Sequence, residues 1–194
     1  KITAATVNLG AASDLTAVIT TNDAQSLTIN ATGALSTTTG QNIVDGTATN
    51  VLKTVTVTGT DLVKVGTVTS TVMETVNVTA AKALTVGNIG AGSEKLDSVT
   101  LTATAGALAM GNIGKTTGTN TLDVTINAKD AITVAGGATI ESTKIGNISA
   151  TSTAGVVTLG TIGANATTMG DVTVNAKGNA TTGAIGTVAN LKTL

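Results

Sequence analysis

Four acidic residues occupy equivalent places in the chain: Glu74, Asp97, Asp123 and Asp171 each stand just ahead of a short run in which apolar and polar residues alternate. If these runs are stacked strands, the carboxylates lie about 5 Å apart, which is unfavourable unless a cation separates them. Ca²⁺ prefers carboxylate and carbonyl oxygens, so the four residues are a candidate calcium site. The alternative is a solvated charged face, favoured by a one-residue offset between the first two acids and the last two.

The chain offers few other groups for chemistry. It has ten lysines and eleven acids, but no His, Cys, Arg, Tyr, Trp or Phe. Acid–base and nucleophilic catalysis need titratable groups that converge in a pocket, and we expect a protein that is not an enzyme. An enzyme would require a cleft in which at least two acids meet. Without guanidinium groups or aromatic rings, and with a net charge of −1, we also expect no nucleic-acid partner.

Composition predicts a thin, regular core. The 194 residues include 44 Thr and 23 Gly, with 41% hydrophobic residues and 11% charged residues. That hydrophobic fraction is high enough for folding, but without aromatic rings Val, Ile, Leu and Ala must fill the interior. Thr, Asn and Gly interrupt every apolar run before it reaches the length of about 20 residues that a membrane-spanning helix needs, so we expect no membrane span.

An internal repeat organises the chain. A four-residue cluster that begins with an apolar residue and alternates apolar with polar positions recurs seven times, with first residues 28, 21, 23, 25, 24 and 24 positions apart. A period of about 24 residues is typical of one coil of a solenoid. The seven clusters are Leu27–Asn30, Val55–Thr58, Val76–Thr79, Val99–Thr102, Val124–Asn127, Ile148–Thr151 and Val172–Asn175.

Each repeat contains two further elements. A second apolar pair follows the cluster, as in Leu84 and Val86 or Leu108 and Met110, and has the period of two that marks a strand. A short glycine-flanked segment comes next, as in Gly87–Gly90 and Gly111–Gly114, where glycine allows a corner. The repeat is therefore strand, turn, strand, corner and short strand, followed by a variable loop.

The predicted fold is all-β: a parallel β-helix, or β-solenoid, that is right-handed, with three short strands per coil and seven to eight coils. Coils stacked 4.7–4.9 Å apart would form a rod roughly 35–40 Å long. We expect one domain over residues 1–194, forming a segment of a longer surface protein. The first forty-odd residues, with Val7–Leu9 and Leu15–Val18, keep strand-forming residues but lose the phase of the repeat.

Polar positions of the clusters should form two outward rows of Thr and Asn. Regular Thr-x-Thr rows on a solenoid resemble those of ice-binding proteins, although Asn replaces Thr in four coils and Ser in one. Exposed strands also favour β-branched polar residues by default. Asn30, Asn127 and Asn175 could instead stack as amide ladders.

The Thr-, Ala-, Val-, Gly- and Asn-rich runs Val55–Asp61, Leu84–Ile89 and Leu122–Ala128 resemble the S-layer proteins of Gram-negative bacteria that are exported by type I secretion. The resemblance implies secretion, a cell-surface location, self-association into a two-dimensional lattice and calcium as structural ion, with other domains available to bind cell-surface polysaccharide. The Gly-Gly-x-Gly-x-Asp nonapeptide of the RTX members is absent, so no calcium ligand transfers to this chain. The alternative function is the stalk of a secreted bacterial adhesin.

Overall fold

The computed structural model describes residues 3–10, 18–35, 41–46, 51–135 and 137–186, apart from the side chain of residue 41. These residues form twenty strands and no helix. In chain order the strands are β1 (Ala4–Leu9), β2 (Ile19–Thr21), β3 (Ser26–Ala31), β4 (Gln41–Asp45), β5 (Thr54–Gly59), β6 (Val63–Thr69), β7 (Thr75–Ala80), β8 (Leu84–Val86), β9 (Ser98–Ala103), β10 (Leu108–Met110), β11 (Ile113–Gly114), β12 (Thr121–Ala128), β13 (Ile132–Val134), β14 (Thr139–Glu141), β15 (Lys144–Ser152), β16 (Val157–Leu159), β17 (Thr161–Ile162), β18 (Thr168–Met169), β19 (Val172–Ala176) and β20 (Ala180–Thr182).

The strands form three parallel sheets that run along the molecule. Sheet A has the order β1-β3-β5-β7-β9-β12-β15-β18, with β19 also paired to β15. Sheet B has the order β2-β4-β6-β8-β10-β13-β16-β20, and sheet C has the order β11-β14-β17. Because neighbours in each sheet belong to successive coils, the predicted parallel β-solenoid, with about seven turns roughly 24 residues apart, is confirmed.

The repeat sets the register of sheet A. Val55 pairs with Val76, Val76 with Val99, and Val99 with Val124. The file continues through Ile148 to Val172. Equivalent apolar residues therefore stack directly, as the period predicts, and all those in this file are at most 2% exposed.

The core is a continuous strip of aliphatic side chains between the sheets. It runs from Leu27 to Val172 and contains no aromatic ring, in keeping with the composition. The second apolar pair of each repeat lies on sheet B: Leu84, Val86, Leu108 and Met110 are all buried there. Burial stabilises a solenoid only when coils stack, because one coil cannot cover its own apolar face.

The glycine-flanked segments form the corners around sheet C. Gly90, Gly114, Gly163 and Gly186, the last residue of four such segments, have φ between 61° and 81°. This left-handed region strains other L-residues, so the sequence places glycine there. A Cβ at Gly90 would also lie 2.7 Å from Cδ2 of Leu96, a contact too close for packed atoms.

The first coil keeps the phase of the repeat, contrary to our expectation. In β1, Ala5 pairs with Leu27 and Val7 pairs with Ile29. Ala5–Asn8 is thus an eighth copy of the cluster, and we missed it because Ala opens it in place of Val, Leu or Ile. Within Leu15–Val18, the first three residues lie outside the described part of the chain. The hand of the solenoid and the single domain stay predictions.

Candidate functional site

The four predicted calcium ligands lie along one margin of sheet A, where its strands begin. Glu74 and Asp97 share one file, because the flanking Thr75 pairs with Ser98. Asp123 is shifted by one residue and pairs with Ser98 itself. The predicted offset between the two pairs of acids is therefore present.

The first two acids are each engaged by a donor from a neighbouring coil. The Nζ atom of Lys53 lies 2.8 Å from Oε1 of Glu74, in an ion pair between successive coils. The side-chain amide of Asn120 donates to Oδ1 of Asp97 at 2.7 Å. The ammonium of Lys53 and the amide of Asn120 therefore engage these two carboxylates without a metal ion.

Asp123 belongs to a ladder of side chains that bind the backbone of the next coil. Oδ1 of Asp123 accepts the N–H of Asn147 at 2.6 Å, and Oδ1 of Asn147 accepts the N–H of Asp171 at 3.3 Å. A register shift between Leu122 and Val124 opens the strand pairing at this level. Side-chain oxygens thus replace backbone carbonyls as acceptors where the strands separate.

Calcium at the acidic margin stays a prediction. Within the described part of the chain, no three acidic side chains come together in a group that could hold a metal ion. Ca²⁺ takes six to eight oxygen ligands, whereas the four acids here are spread over separate coils and three of them accept hydrogen bonds from protein donors. This donor set does not fit a calcium site made by these side chains alone.

Two further ion pairs also join successive coils. Lys82 lies 2.7 Å from Oδ2 of Asp61, and Lys115 lies 3.3 Å from Oε1 of Glu94. The hydrogen bond from Lys82, followed by one from the N–H of Leu62, holds the pKa of Asp61 below its ordinary value. All three ion pairs are at the surface, where each contributes little to stability.

The outward face of sheet A carries two rows of small polar residues in register across eight strands. The first row is Thr6, Thr28, Thr56, Asn77, Thr100, Thr125, Ser149 and Thr173. The second row is Asn8, Asn30, Thr58, Thr79, Thr102, Asn127, Thr151 and Asn175. None of these side chains is buried, and none is charged.

The predicted amide ladder does not form between Asn127 and Asn175, whereas Asn30 does belong to an amide pair. Asn127 and Asn175 are separated by Thr151 and do not stack on each other. The amide pair that forms is Asn30 Nδ2 to Asn8 Oδ1, at 2.9 Å. The missed first coil supplies Asn8, the partner of Asn30.

Two buried carboxylates escaped the sequence analysis. Glu141 is 4% exposed, and its Oε1 and Oε2 atoms accept the N–H groups of Ala164 and Asn165 at 3.1 and 3.4 Å. Asp45 is 6% exposed, and its Oδ2 accepts the N–H of Leu52 and the hydroxyl of Ser70, both at 3.0 Å. The candidate acids were chosen because each precedes one of the repeated four-residue clusters. Asp45 and Glu141 do not precede such a cluster.

Asp45 has an unused oxygen. Its Oδ1 is buried and has no hydrogen-bond partner, and the same holds for the hydroxyl of Thr21. The two residues are register neighbours on β2 and β4. Buried polar atoms without partners are rare and costly, so this pair is the least satisfied polar site among the described residues.

Buried serines at the loop that follows sheet C form a recurrent link. Ser93 donates to the carbonyl of Met73 at 2.8 Å and accepts the N–H of Lys95 at 3.0 Å. Ser142 similarly donates to the carbonyl of Asn120 at 3.1 Å and accepts the N–H of Lys144. Serine two residues before a lysine is the signal that could have revealed this motif.

Corner asparagines make a second such link. Oδ1 of Asn88 accepts the N–H of Asn112, and Oδ1 of Asn112 accepts the N–H of Thr139, both at 2.8 Å. The repeated Gly-Asn-Ile-Gly sequence was interpreted as a corner and short strand, and its asparagine also ties one coil to the next.

Three comparisons with known proteins found no relative. No family model, no curated protein and no solved structure matches the chain. The described residues also contain no helix long and apolar enough to cross a membrane. The site must therefore be interpreted from its own geometry.

Proposed function

We propose that this chain is a rigid structural segment of a secreted bacterial cell-surface protein that self-assembles into a lattice. The observation that carries the proposal is the unbroken parallel stacking of sheet A from β1 to β19, with one aliphatic core beneath it. Function here is mechanical: the coils keep surface groups at fixed spacings along a rod.

Links between coils occur on several sides of the rod. Backbone ladders join the sheets, Asn88 and Asn112 tie the corners, and Asp123 and Asn147 tie the start of sheet A. Ion pairs such as that between Lys53 and Glu74 cross the same gap. Because each coil is held at several points, bending the rod requires several hydrogen bonds to lengthen together, which favours stiffness.

The likeness of Val55–Asp61 and Leu122–Ala128 to S-layer proteins supports a lattice at the cell surface. In such a lattice calcium would contribute at contacts between copies or in other domains, and attachment to cell-surface polysaccharide would also come from other domains. The scarcity of acid–base groups in the sequence supports a role other than catalysis.

Electron microscopy of the purified chain, with calcium added or chelated, tests the proposal. We expect ordered sheets or arrays with calcium and their loss after chelation, with magnesium at equal ionic strength as the control for a general salt effect. Monomeric rods that are indifferent to calcium at all concentrations would contradict the lattice and favour an adhesin stalk.

A further inference from the structure

We propose that the outward face of sheet A is the contact surface between two copies of this chain, packed face to face with their solenoid axes parallel. The inference rests on the proposed function, because it supplies one contact of a self-assembling structure, and it names the surface and the geometry of that contact.

The centre of the face is suited to close packing. The two outward rows contain only Thr, Asn and Ser, so the side chains are similar in size and carry no charge. Sheets stack about 10 Å apart when small side chains meet between them. Hydroxyl and amide groups can exchange hydrogen bonds with the same groups on a second copy, which limits the cost of removing water.

Charges frame this strip in a repeated pattern. The sequence Asp-Val-Thr-Ile-Asn-Ala-Lys at 123–129 returns as Asp-Val-Thr-Val-Asn-Ala-Lys at 171–177. Because side chains alternate along a strand, the Asp, Thr, Asn and Lys of each heptapeptide lie on the same face of sheet A. Asp123 and Lys129 are exposed at opposite ends of one outward line, and Asp171 and Lys177 are exposed at the ends of another, two coils away.

This pattern is complementary to itself under one two-fold rotation. Consider a two-fold axis that lies between two facing sheets and runs parallel to the solenoid axis. This rotation places the Asp margin of one copy opposite the Lys margin of the other, and each residue keeps its position along the rod. Asp123 then faces Lys129 of the second copy, and Asp171 faces Lys177 of the second copy. A two-fold axis along the strands would instead put acidic margin on acidic margin, so the charges select parallel rods.

The lysines are available for this contact. Among the described residues, neither Lys129 nor Lys177 has an ion-pair partner, whereas Lys53, Lys82 and Lys115 each have one. Asp171 bonds to Asn147 and Ile148 through its backbone N–H and carbonyl, not through its carboxylate. Two copies would therefore gain ion pairs without breaking existing ones.

The face is large enough for a specific contact. Eight strands about 4.8 Å apart, and six steps of about 3.3 Å from the Asp position to the Lys position, outline roughly 700 Å² on each copy. Standard stable interfaces bury about 800 Å² per partner. The outlined face falls at the lower end of that size class.

Sedimentation equilibrium of charge variants tests the proposal. The wild-type chain should dimerise, and both the acidic variant Lys129→Glu/Lys177→Glu and the basic variant Asp123→Lys/Asp171→Lys should have a dimer dissociation constant raised roughly tenfold or more, because opposed pairs become repulsive. Mixing the two variants should restore a one-to-one dimer. A wild-type monomer at every concentration, or variants that dimerise as well as the wild type, would overturn the proposal.

Matched controls separate this surface from general charge effects. Thr85→Glu/Thr133→Glu adds two charges to the outward face of sheet B and should leave the dissociation constant unchanged. Because Asp123→Lys removes an acceptor that serves Asn147, Asp171→Lys alone provides a second basic variant, and circular dichroism melting shows whether each variant folds. Equal weakening by the sheet B variant would contradict the assignment.

The outcome is distinguishable from failure of the proposed function. A dimer sensitive to these charges, without arrays in the microscope, would keep the contact and reject the lattice. Calcium-dependent arrays unaffected by the charge variants would keep the lattice and reject the contact. A monomer that produces thermal hysteresis in freezing solutions would assign the Thr and Asn rows to ice and overturn the dimer.

Discussion

Asp45 and Glu141 are both buried carboxylates, yet their surroundings differ. Glu141 uses both oxygens, because the turn after Gly163 in the next coil presents two N–H groups to it. In Asp45, Oδ2 accepts two hydrogen bonds, whereas Oδ1 accepts none. The hydroxyl of the neighbouring Thr21 also has no hydrogen-bond partner. The coil after Glu141 supplies backbone donors, whereas the coil before Asp45 supplies a hydroxyl that makes no bond.

The difference shows what a solenoid corner contributes. A glycine with positive φ turns the chain so that the following N–H groups point back toward the previous coil, and these donors accommodate an anion. Gly163, with φ of 61°, has that conformation next to Glu141. Asp45 instead ends β4, whose pairing with β6 has a register shift between Gln41 and Ile43. Regular corners therefore let an acid be buried at low cost.

A large loss of stability should follow from Glu141→Gln. A carboxamide offers one oxygen and one NH₂ group, so it cannot accept both of the partly buried bonds from the N–H groups of Ala164 and Asn165. We expect the free energy of unfolding to fall by about 2 kcal/mol, as measured by urea denaturation. Glu94→Gln, at an exposed ion pair, is the control and should cost less than about 1 kcal/mol. If both variants lost the same free energy of unfolding, the partly buried bonds of Glu141 would contribute no more than an exposed ion pair.

Thr21→Val should act in the opposite direction. It replaces a buried hydroxyl that lacks a partner with a methyl group of the same shape and keeps a β-branched side chain in the strand. The free energy of unfolding should rise by about 1 kcal/mol. Thr20→Val, on the exposed side of the same strand, should change it little. A loss of stability in Thr21→Val would mean that the hydroxyl is bonded in solution.

Asp45→Asn sharpens the comparison further. The amide keeps one oxygen for Leu52 and Ser70 and puts a donor in place of the unused oxygen, beside Thr21. We expect a change within about 1 kcal/mol, whereas Asp45→Ala, which removes both acceptors, should cost about 2 kcal/mol. Thermal and urea unfolding would measure both variants. If Asn destabilised as much as Ala, the negative charge itself would be required at this position.

The smallest effect concerns a carboxylate at the surface. The pKa of Asp61 lies below its ordinary value, chiefly because Lys82 donates to it. A lowered folded-state pKa contributes stability above the unfolded pKa, and that contribution disappears as the pH falls through the folded pKa. NMR titration of Asp61 should show the low pKa, and Lys82→Met should raise it. An unchanged pKa in that variant would reject Lys82 as the main cause.

Much of the fold could be predicted because one period governs it. The clusters from Leu27 to Val172 determined the register of sheet A, and pairs such as Leu108 and Met110 located sheet B. The first coil was missed because Ala5 is a weak apolar signal. Alternation and spacing are local properties of the sequence, so they identify strands well even without relatives.

The polar sites were less predictable, because their partners come from a different coil and depend on exact register. The offset between Asp97 and Asp123 was foreseen, but the donors Asn120 and the N–H of Asn147 were not. Asp45 and Glu141 are the last residues of β4 and β14, where the period gives no orientation. Whether a carboxylate is buried there depends on how the next turn closes over it.

The hydrogen bonds between coils connect residues whose sequence separation is close to one repeat, as for Asn112 with Asn88 and Asn147 with Asp123. In the described part of the chain, each strand pairs with strands of the adjacent coils, not with a distant part of the sequence. Folding can therefore propagate from one coil to the next, because each folded coil offers its strands for pairing to the adjacent coil. The number of coils can therefore change, in evolution or by design, when a segment of about 24 residues is duplicated or deleted.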